Sequence, residues 1–223
     1  MVASRTLRNL RMPKLAKSQK LELHGPAGKL EALLEAPQGT DIVGCAAVCH
    51  PHPLHGGTLQ NKVAHTLARS FIGQGFIALR FNFRGVNDSE GTFDDGRGEL
   101  EDVYAAMDFL STGYPDLPLW ISGFSFGAAM ATHAAAARKP AGLVSIAPAI
   151  SRFTTTLMPQ PDCPWLILQG DQDELVDVDE TIAWVNGLDP GPELQILDGA
   201  VHFFHGKLLL LREAVEEFIA KHS

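Results

Sequence analysis

The stretch Leu117-Pro-Leu-Trp-Ile-Ser-Gly-Phe-Ser-Phe-Gly-Ala-Ala-Met-Ala-Thr-His-Ala-Ala-Ala-Ala137 decides how the rest of the chain is interpreted. It opens with an apolar run over 117–122 that is typical of a buried strand, and it closes with strong helix formers. Between them lies the turn Gly123-Phe124-Ser125-Phe126-Gly127. Because glycines flank Ser125, the two backbones can pass close together. The pattern predicts a strand, a tight turn and a helix, with the Ser125 hydroxyl at the top of a sheet.

Two interpretations of Ser125 fit this local pattern. In the first, the G-x-S-x-G motif is a nucleophile elbow, in which a strained turn presents a reactive hydroxyl. In the second, the turn is an ordinary glycine turn and Ser125 caps the helix that follows. We favour the first, because residues that activate a serine hydroxyl follow later in the chain in the expected order.

An acid is expected just after a later strand, where it would orient the base that takes the serine proton. The turn that follows Gly170 offers four carboxylates: Asp171, Asp173, Glu174 and Asp177. We choose Asp173, the third residue after Gly170, and assign Asp177 as the N-cap of the next helix.

A histidine base is expected in the loop after the last strand, and His202 and His205 both lie there. We prefer His202, which stands three residues past Gly199. His205 is expected to line the pocket or to open the last helix. His65 and His133 are interpreted as helix-surface or packing residues.

An oxyanion hole needs backbone N–H groups that point at the developing negative charge. One donor is expected from Phe126, the residue after the candidate nucleophile. The second is expected from the loop His50-Pro-His-Pro-Leu-His-Gly-Gly57, whose two prolines have no N–H to give. This leaves His52 or Leu54, and we prefer His52.

The three histidines of that loop also invite interpretation as a metal site. The spacing H-x-H-x-x-H lacks an accompanying aspartate, and the alternating prolines suit a rigid donor loop better. We therefore predict neither a metal nor a cofactor. Arg84, in the loop Phe81-Asn-Phe-Arg-Gly85, is interpreted as a structural residue that ties loops together, with a substrate-carboxylate role as the alternative.

The fold class follows from the alternation of strand and helix patterns after an initial hairpin over 20–36. Further strands are predicted at 42–49, 76–81, 117–122, 142–147, 165–169 and 193–197. Helices are predicted at 59–74, 98–110, 178–186 and 207–221, besides the helix after Ser125. We therefore expect an α/β protein with a mostly parallel sheet and helices on both faces. The short, proline-rich segment between the strands at 142–147 and 165–169 cannot build a cap domain, so the site should be open.

The composition of the chain limits the number of domains and the kinds of partner that are expected. Of the 223 residues, 45% are hydrophobic, which suits one well-buried domain. Residues 1–20 carry six basic side chains and no acid, and with a net charge of −8 the remainder carries −14. We therefore divide the chain into a basic N-terminal arm, 1–20, and a single domain, 21–223. The acidic balance argues against nucleic acid or an anionic membrane as the main partner and favours a small-molecule substrate.

Compartment and assembly are also inferred from the sequence. The basic start is not followed by an uninterrupted apolar core, as a secretory signal would require, and no apolar run is long enough to span a bilayer. The three cysteines, Cys45, Cys49 and Cys163, lie in apolar runs and are interpreted as buried, reduced thiols of a cytoplasmic protein. Cys49 lies near the predicted site, but a core position is favoured over a nucleophilic role. A missing lid exposes apolar surface, so a homodimer is expected.

Five motifs in order give the chain a wider resemblance: His-Pro-His-Pro with Gly-Gly, Phe-Asn-Phe-Arg-Gly, Gly-Phe-Ser-Phe-Gly, Gly-Asp-Gln-Asp and Gly-Ala-Val-His. Together they resemble the α/β-hydrolase superfamily, and more narrowly the small lidless bacterial hydrolases related to dienelactone hydrolase. The resemblance implies an eight-stranded sheet, Ser125 as nucleophile, Asp173 as acid and His202 as base. Dienelactone hydrolases carry cysteine at the nucleophile position, so their substrate is not implied. The basic arm has no counterpart in the pattern.

The function that these observations favour is a serine hydrolase that cleaves carboxylic esters or thioesters of small soluble substrates through an acyl-enzyme intermediate. One alternative keeps the same three residues for an acyl-peptide hydrolase or an acyltransferase. A second alternative is a non-catalytic binding protein that has kept the fold.

Overall fold

The computed structural model of the protein describes residues 17–150 and 160–223. Its strands are β1 Ser18–Gly25, β2 Gly28–Glu35, β3 Gly44–Cys49, β4 Phe76–Phe81, β5 Leu119–Phe124, β6 Gly142–Ile146, β7 Trp165–Gly170 and β8 Glu193–Leu197. The helices within the described ranges are α1 Lys62–Gly73, α2 Arg97–Gly113, α3 Phe126–Arg138, α4 Val178–Asn186 and α5 Leu208–His222, with a 3₁₀ turn at Pro53–His55.

These strands form one sheet in the order β1-β2-β4-β3-β5-β6-β7-β8. The pairs β1–β2 and β2–β4 are antiparallel, and the other five pairs are parallel. The hairpin closes with Gly25 opposite Gly28, so only two residues form its turn. The predicted hairpin and mostly parallel eight-stranded sheet are therefore confirmed.

Helices cover both faces of the sheet, because the central strands are apolar on both sides. The apolar residues of α1 and α5 join Val48 and Leu166 in one core cluster. On the opposite face, α2, α3 and α4 pack against Ile121 and Ile167. Most alanines of α3 are buried, and their small side chains let the helix lie close against the sheet, as predicted.

Several element boundaries differ from the prediction. β1 begins at Ser18, so the last three residues assigned to the basic arm belong to the sheet; residues 1–16 lie outside the described residues. α1 begins at Lys62 because the Asn61 side chain caps it, accepting hydrogen bonds from the N–H groups of Val63 and Ala64. β5 runs two residues further than predicted, because Gly123 and Phe124 still pair with β6.

The carboxyl ends of the parallel strands meet along one edge of the sheet, where open α/β sheets place their sites. β6 and β7 are joined by residues 147–164, and the described residues of that segment form no cap domain. None of the helices in the described ranges has the length and apolar character needed to cross a membrane.

The three cysteines are free thiols. Burial raises the pKa of Cys45 to about 12 and lifts the pKa of Cys49 above its usual range. Cys49 is thus a protonated core residue of β3. Cys163 departs from the prediction, since it is only half-buried in the loop before β7, although burial still raises its pKa to about 11.

Candidate active site

Ser125 lies between the end of β5 and the first residue of α3, with φ 55° and ψ −116°. A positive φ is unfavourable for a residue with a side chain, so the surrounding structure must hold it. The Ser125 N–H donates to the Ile146 carbonyl at 2.8 Å, and its carbonyl accepts from the N–H groups of Ala128 and Ala129. Although Ser125 occupies the N-cap position, its hydroxyl makes no capping hydrogen bond. The side chain therefore does not serve the helix, contrary to the N-cap interpretation.

The two glycines of the turn are required by close backbone contacts. A Cβ on Gly123 would collide with the backbone of Gly127. A Cβ on Gly127 would collide with the carbonyl oxygens of Cys49 and His50. Gly127 thereby brings α3 against the end of β3, where the histidine-rich loop begins. The turn at Ser125 and that loop are fixed relative to each other by this contact.

Three of the predicted residues meet at this edge of the sheet. His202 Nε2 lies 3.1 Å from Ser125 Oγ, and His202 Nδ1 lies 2.8 Å from Asp173 Oδ2. An ionised carboxylate only accepts hydrogen bonds, so Nδ1 carries the proton and Nε2 is left to accept from the serine hydroxyl. The side chains of His202 and Asp173 are 2% and 0% exposed, which keeps water away from this pair.

Each of the four candidate carboxylates has a distinct place. Asp173 contacts the His202 ring, whereas Glu174 Oε2 accepts the His202 backbone N–H at 3.2 Å. Asp177 caps α4 by accepting the Glu180 N–H at 3.0 Å, as predicted. Asp171 is exposed.

The environment of Asp173 keeps its carboxylate ionised. Burial by itself would raise the pKa of Asp173, but the hydrogen bond from His202 and the N–H groups of Val176 and Leu175 outweigh it, so the pKa is lowered. Both N–H groups reach Asp173 Oδ1 at 2.8 Å. The tight turn after β7 therefore supplies donors that stabilise the charge next to the imidazole.

Ser125 and His202 open onto a cavity of about 420 Å³. Phe126 and His52 also line it, together with the apolar side chains of Leu175 and Phe203, which are 65% and 38% exposed. The cavity is thus reached directly from solvent along an apolar wall.

The two residues predicted to supply oxyanion donors both line this cavity. Phe126 is the first residue of α3, so the positive end of the helix dipole lies beside Ser125. The Leu54 N–H donates to His52 Nδ1 at 3.2 Å, and Leu54 is not among the residues that line the cavity. Of the two alternatives that the sequence left open, this arrangement favours His52.

His50 is fully buried, and both of its ring nitrogens are engaged. Nδ1 donates to the Pro51 carbonyl at 2.6 Å, and Nε2 accepts the Phe83 N–H at 3.1 Å. Burial lowers the pKa of His50 to about 4, so the ring is neutral at pH 7. Because both nitrogens form hydrogen bonds, the His50 ring connects the loop after β3 to the loop after β4. Within 17–150 and 160–223, no group of three His, Cys, Asp or Glu side chains is placed to hold a metal ion.

Arg84 and His205 both lie outside the set of residues that line the cavity. Arg84 forms a buried pair with Asp102, 2.7 Å from Nη2 to Oδ1, and its own N–H donates to Asp102 at 2.9 Å; this confirms the structural interpretation. His205 is exposed and stacks on Phe203 with ring centroids 6.0 Å apart. It neither lines the cavity nor begins α5, so both expectations for His205 are wrong.

Sequence reasoning missed Gln169 as a residue that supports the site, and it named Glu174 and His50 without assigning the contacts that they make. Gln169 was detectable as a polar residue at the end of the apolar run of β7, and Glu174 as a neighbour of Asp173. The neutral, buried state of His50 had no local signal, because it depends on the distant Phe83.

Comparisons with known proteins identify a matching family and relatives of this chain. Residues 52–160 match the family described as serine aminopeptidase, S33. An uncharacterized protein of Rickettsia prowazekii is 33% identical over 206 residues, which cover 88% of this chain and 86% of the relative.

Solved structures are similar over nearly the whole chain. A Xanthomonas campestris protein, described as an α/β serine hydrolase without a lid, is 38% identical, with a TM-score of 0.88 over 93% of this chain and 97% of the other. An α/β serine hydrolase homologue from Coxiella burnetii is 40% identical, with a TM-score of 0.88 over 92% of this chain and 98% of the other. The sheet order, the strained Ser125 turn and these similarities show that the chain belongs to the α/β-hydrolase superfamily, among its lidless serine hydrolases.

Proposed function

We propose that this protein hydrolyses carboxylic esters or thioesters of small substrates through an acyl-enzyme on Ser125. The observation that carries the proposal is the hydrogen-bond chain from Asp173 Oδ2 through the His202 ring to Ser125 Oγ, with links of 2.8 Å and 3.1 Å, opening onto an accessible cavity. This arrangement has the order and geometry of an activated serine nucleophile.

In the proposed first half-reaction, His202 Nε2 takes the Ser125 proton while Oγ attacks the substrate carbonyl carbon. The negative charge that forms on the carbonyl oxygen is stabilised by the backbone N–H groups of Phe126 and His52 and by the N-terminus of α3. Asp173 stabilises the imidazolium. The tetrahedral intermediate collapses as Nε2–H passes its proton to the leaving alkoxide or thiolate, which departs as alcohol or thiol.

In the second half-reaction, His202 takes a proton from water, and the resulting hydroxide adds to the acyl carbon. Collapse of this intermediate breaks the bond to Ser125 Oγ, and the serine regains its proton from Nε2–H. The products are the carboxylic acid and the free enzyme. No redox step or cofactor is needed.

Aminopeptidase activity is the second candidate, because the matching family is described by that name. An aminopeptidase has to bind the α-ammonium group of its substrate, for which a carboxylate is the natural partner. Among the described residues that line the cavity, none is an aspartate or glutamate. The lack of a carboxylate among these residues favours an ester over a peptide with a free amino terminus.

The test is hydrolysis of p-nitrophenyl acetate by the wild type and by Ser125→Ala, with fluorophosphonate labelling of both proteins. We expect loss of turnover and of labelling in Ser125→Ala. Ser111→Ala is the matched control, because Ser111 is an exposed hydroxyl on α2, and it should behave as wild type.

Four other outcomes would point elsewhere. Wild-type turnover by Ser125→Ala would show that Ser125 is not the nucleophile. Faster cleavage of an aminoacyl p-nitroanilide than of the acetate ester would favour the aminopeptidase, and acyl transfer to an added alcohol or amine in preference to water would favour an acyltransferase. Absence of labelling in the wild type would indicate a non-catalytic binding protein.

A further inference from the structure

Gln169 stands directly behind the Asp173–His202 pair. It lies at the end of β7, and the residue is 0% exposed. Its Nε2 lies 2.9 Å from Asp173 Oδ2, the same oxygen that accepts the His202 Nδ1 proton. Nε2 also lies 3.2 Å from the Val176 carbonyl. The amide thus contacts the turn whose carboxylate orients His202.

The orientation of this amide is dictated by its neighbours. The groups around Nε2 are the Asp173 carboxylate and the carbonyls of Val176 and Gly170, all of which are acceptors. Only the NH₂ end of the side chain can satisfy them. The Oε1 end is then left buried with no hydrogen-bond partner among the described residues.

An unpartnered buried carbonyl is unfavourable, and apolar side chains of similar length would fill the same space without one. Packing alone therefore does not account for an amide at this position. What the amide adds is its donor to Asp173. With this donor, each oxygen of the Asp173 carboxylate accepts two hydrogen bonds. Oδ1 accepts from the N–H groups of Leu175 and Val176, and Oδ2 accepts from His202 Nδ1 and Gln169 Nε2, so the plane of the carboxylate is fixed.

We propose that Gln169 is a positioning residue for the reaction: its Nε2–H holds the Asp173 carboxylate so that Oδ2 faces His202 Nδ1. This inference rests on the proposed function, in which the ionised Asp173 stabilises the charged form of His202. Gln169 does not line the cavity. Its effect is therefore expected in kcat and not in KM.

The first test replaces the donor with an apolar side chain of similar length, Gln169→Met. With p-nitrophenyl acetate as probe, kcat should fall roughly 10- to 100-fold, the range expected when a hydrogen bond to a buried charge is lost. KM should be unchanged. The melting temperature should stay close to that of the wild type, because removal of the unpartnered carbonyl offsets the loss of the Nε2 hydrogen bonds. A residue with a merely structural role would lose kcat and melting temperature together.

Gln195→Met is the matched control. Gln195 lies on the neighbouring strand β8, and its amide donates to the exposed Glu193 carboxylate at 2.8 Å. The same chemical change there should leave kcat, KM and melting temperature at wild-type values.

The second test uses Gln169→Glu, which has the same shape but carries a donor only when it is protonated. The charged and titratable groups near position 169 are Asp173, His202 and Glu174, whose carboxylate accepts the His202 backbone N–H. All three are present in both proteins. The ratio of variant to wild-type kcat should therefore rise as the pH falls from 8 to 6. A ratio that is flat across this range would overturn the donor role.

The two proposals fail in different ways. If Ser125→Ala is inactive while Gln169→Met keeps the wild-type kcat, the positioning role is wrong and the proposed function stands. A kcat loss in Gln169→Met accompanied by an equal loss in Gln195→Met, or by a clear fall in melting temperature, also overturns the positioning role. If Ser125→Ala keeps the wild-type rate, the proposed function is wrong, and the role of Gln169 is wrong with it.

Discussion

Ser125 holds a backbone conformation that costs a residue with a side chain about 1 to 3 kcal/mol. The neighbouring β6 offsets part of that cost, since the Ile146 carbonyl accepts the Ser125 N–H at 2.8 Å. Gly123 and Gly127 also support this conformation, because they let the flanking backbones approach more closely than a Cβ would allow. The strain at one residue is therefore supported by the sheet and by α3 together, and it points the hydroxyl at His202.

Asp173 provides the sharpest single-residue prediction. Asp173→Asn should lower kcat for p-nitrophenyl acetate roughly 10³- to 10⁴-fold, because a neutral amide neither stabilises the imidazolium nor fixes the His202 tautomer. The fold should persist, which circular dichroism would check.

The control is the neighbouring carboxylate Asp171, which is exposed. Asp171→Asn should keep at least half of the wild-type kcat. A comparable loss in both variants would mean that general charge near the site, and not the contact with His202, controls the rate.

The burial of His50 leads to a prediction for how the free energy of unfolding depends on pH. Burial lowers the pKa of His50 to about 4, below the ordinary value of 6.5, so the unfolded chain binds its proton at higher pH than the folded chain does. The contribution of neutral His50 is complete above pH 6.5 and is lost as the pH falls towards 4. The loss amounts to about 3 kcal/mol over that window.

Urea unfolding at several pH values between 7 and 4 measures this contribution. The wild type should lose more stability across the window than His50→Gln, so that the two curves converge on acidification. His24→Gln, at an exposed position on β1, should run parallel to the wild type. Parallel curves for wild type and His50→Gln would contradict the prediction. Asp173, whose pKa is lowered, contributes at more acidic pH and is common to all three proteins.

At the level of elements, the loop after β4 is tied to α2 by the buried Arg84–Asp102 pair. The side chains are 11% and 0% exposed, and Asp102 also accepts the Arg84 backbone N–H at 2.9 Å. Asp102→Ala would leave a largely buried guanidinium without its partner, which typically costs about 3 to 5 kcal/mol.

Chemical denaturation measures this loss. The matched control is Asp94→Ala, which breaks a pair on the surface. In that pair the Arg97 side chain is 79% exposed and the Asp94 side chain is 46% exposed. That change should cost less than about 1 kcal/mol. Equal losses in the two variants would show that the buried pair does not anchor the loop.

For the whole molecule, the open site predicts the preference for acyl length. The cavity of about 420 Å³ is bounded by the exposed side chains of Leu175 and Phe203, and the described residues between β6 and β7 form no cap over it. A long chain would therefore extend into water and gain little burial. We expect kcat/KM for p-nitrophenyl esters not to rise from acetyl to decanoyl.

The measurement is a series of acyl esters at concentrations below micelle formation. Each methylene that becomes buried adds about 0.8 kcal/mol, so an enclosed acyl channel would raise kcat/KM about tenfold for every two carbons. Such a rise would contradict the open site.

The elements that the sequence predicts best are those with local signals at both ends. α4 and β8 have the predicted bounds, Val178–Asn186 and Glu193–Leu197, because the Asp177 cap and the apolar run are local features. The bounds of β5 are set by pairing with β6, and the start of α1 by the Asn61 cap. These boundaries depend on hydrogen bonds that periodicity alone does not register.

By itself, the sequence determined the class of fold and the short set of residues from which a site could be built. The order of Ser125, the carboxylates after Gly170 and the histidines after Gly199 is a property of the chain. Only the tertiary structure decided which side chains meet: the carboxylate of Asp173 reaches the His202 ring, and the His202 ring, not that of His205, reaches Ser125 Oγ. It also decided the roles of His50 and Gln169. The reason is physical, because hydrogen bonds and burial depend on distances between residues far apart in the chain, and those distances exist only once the sheet has formed.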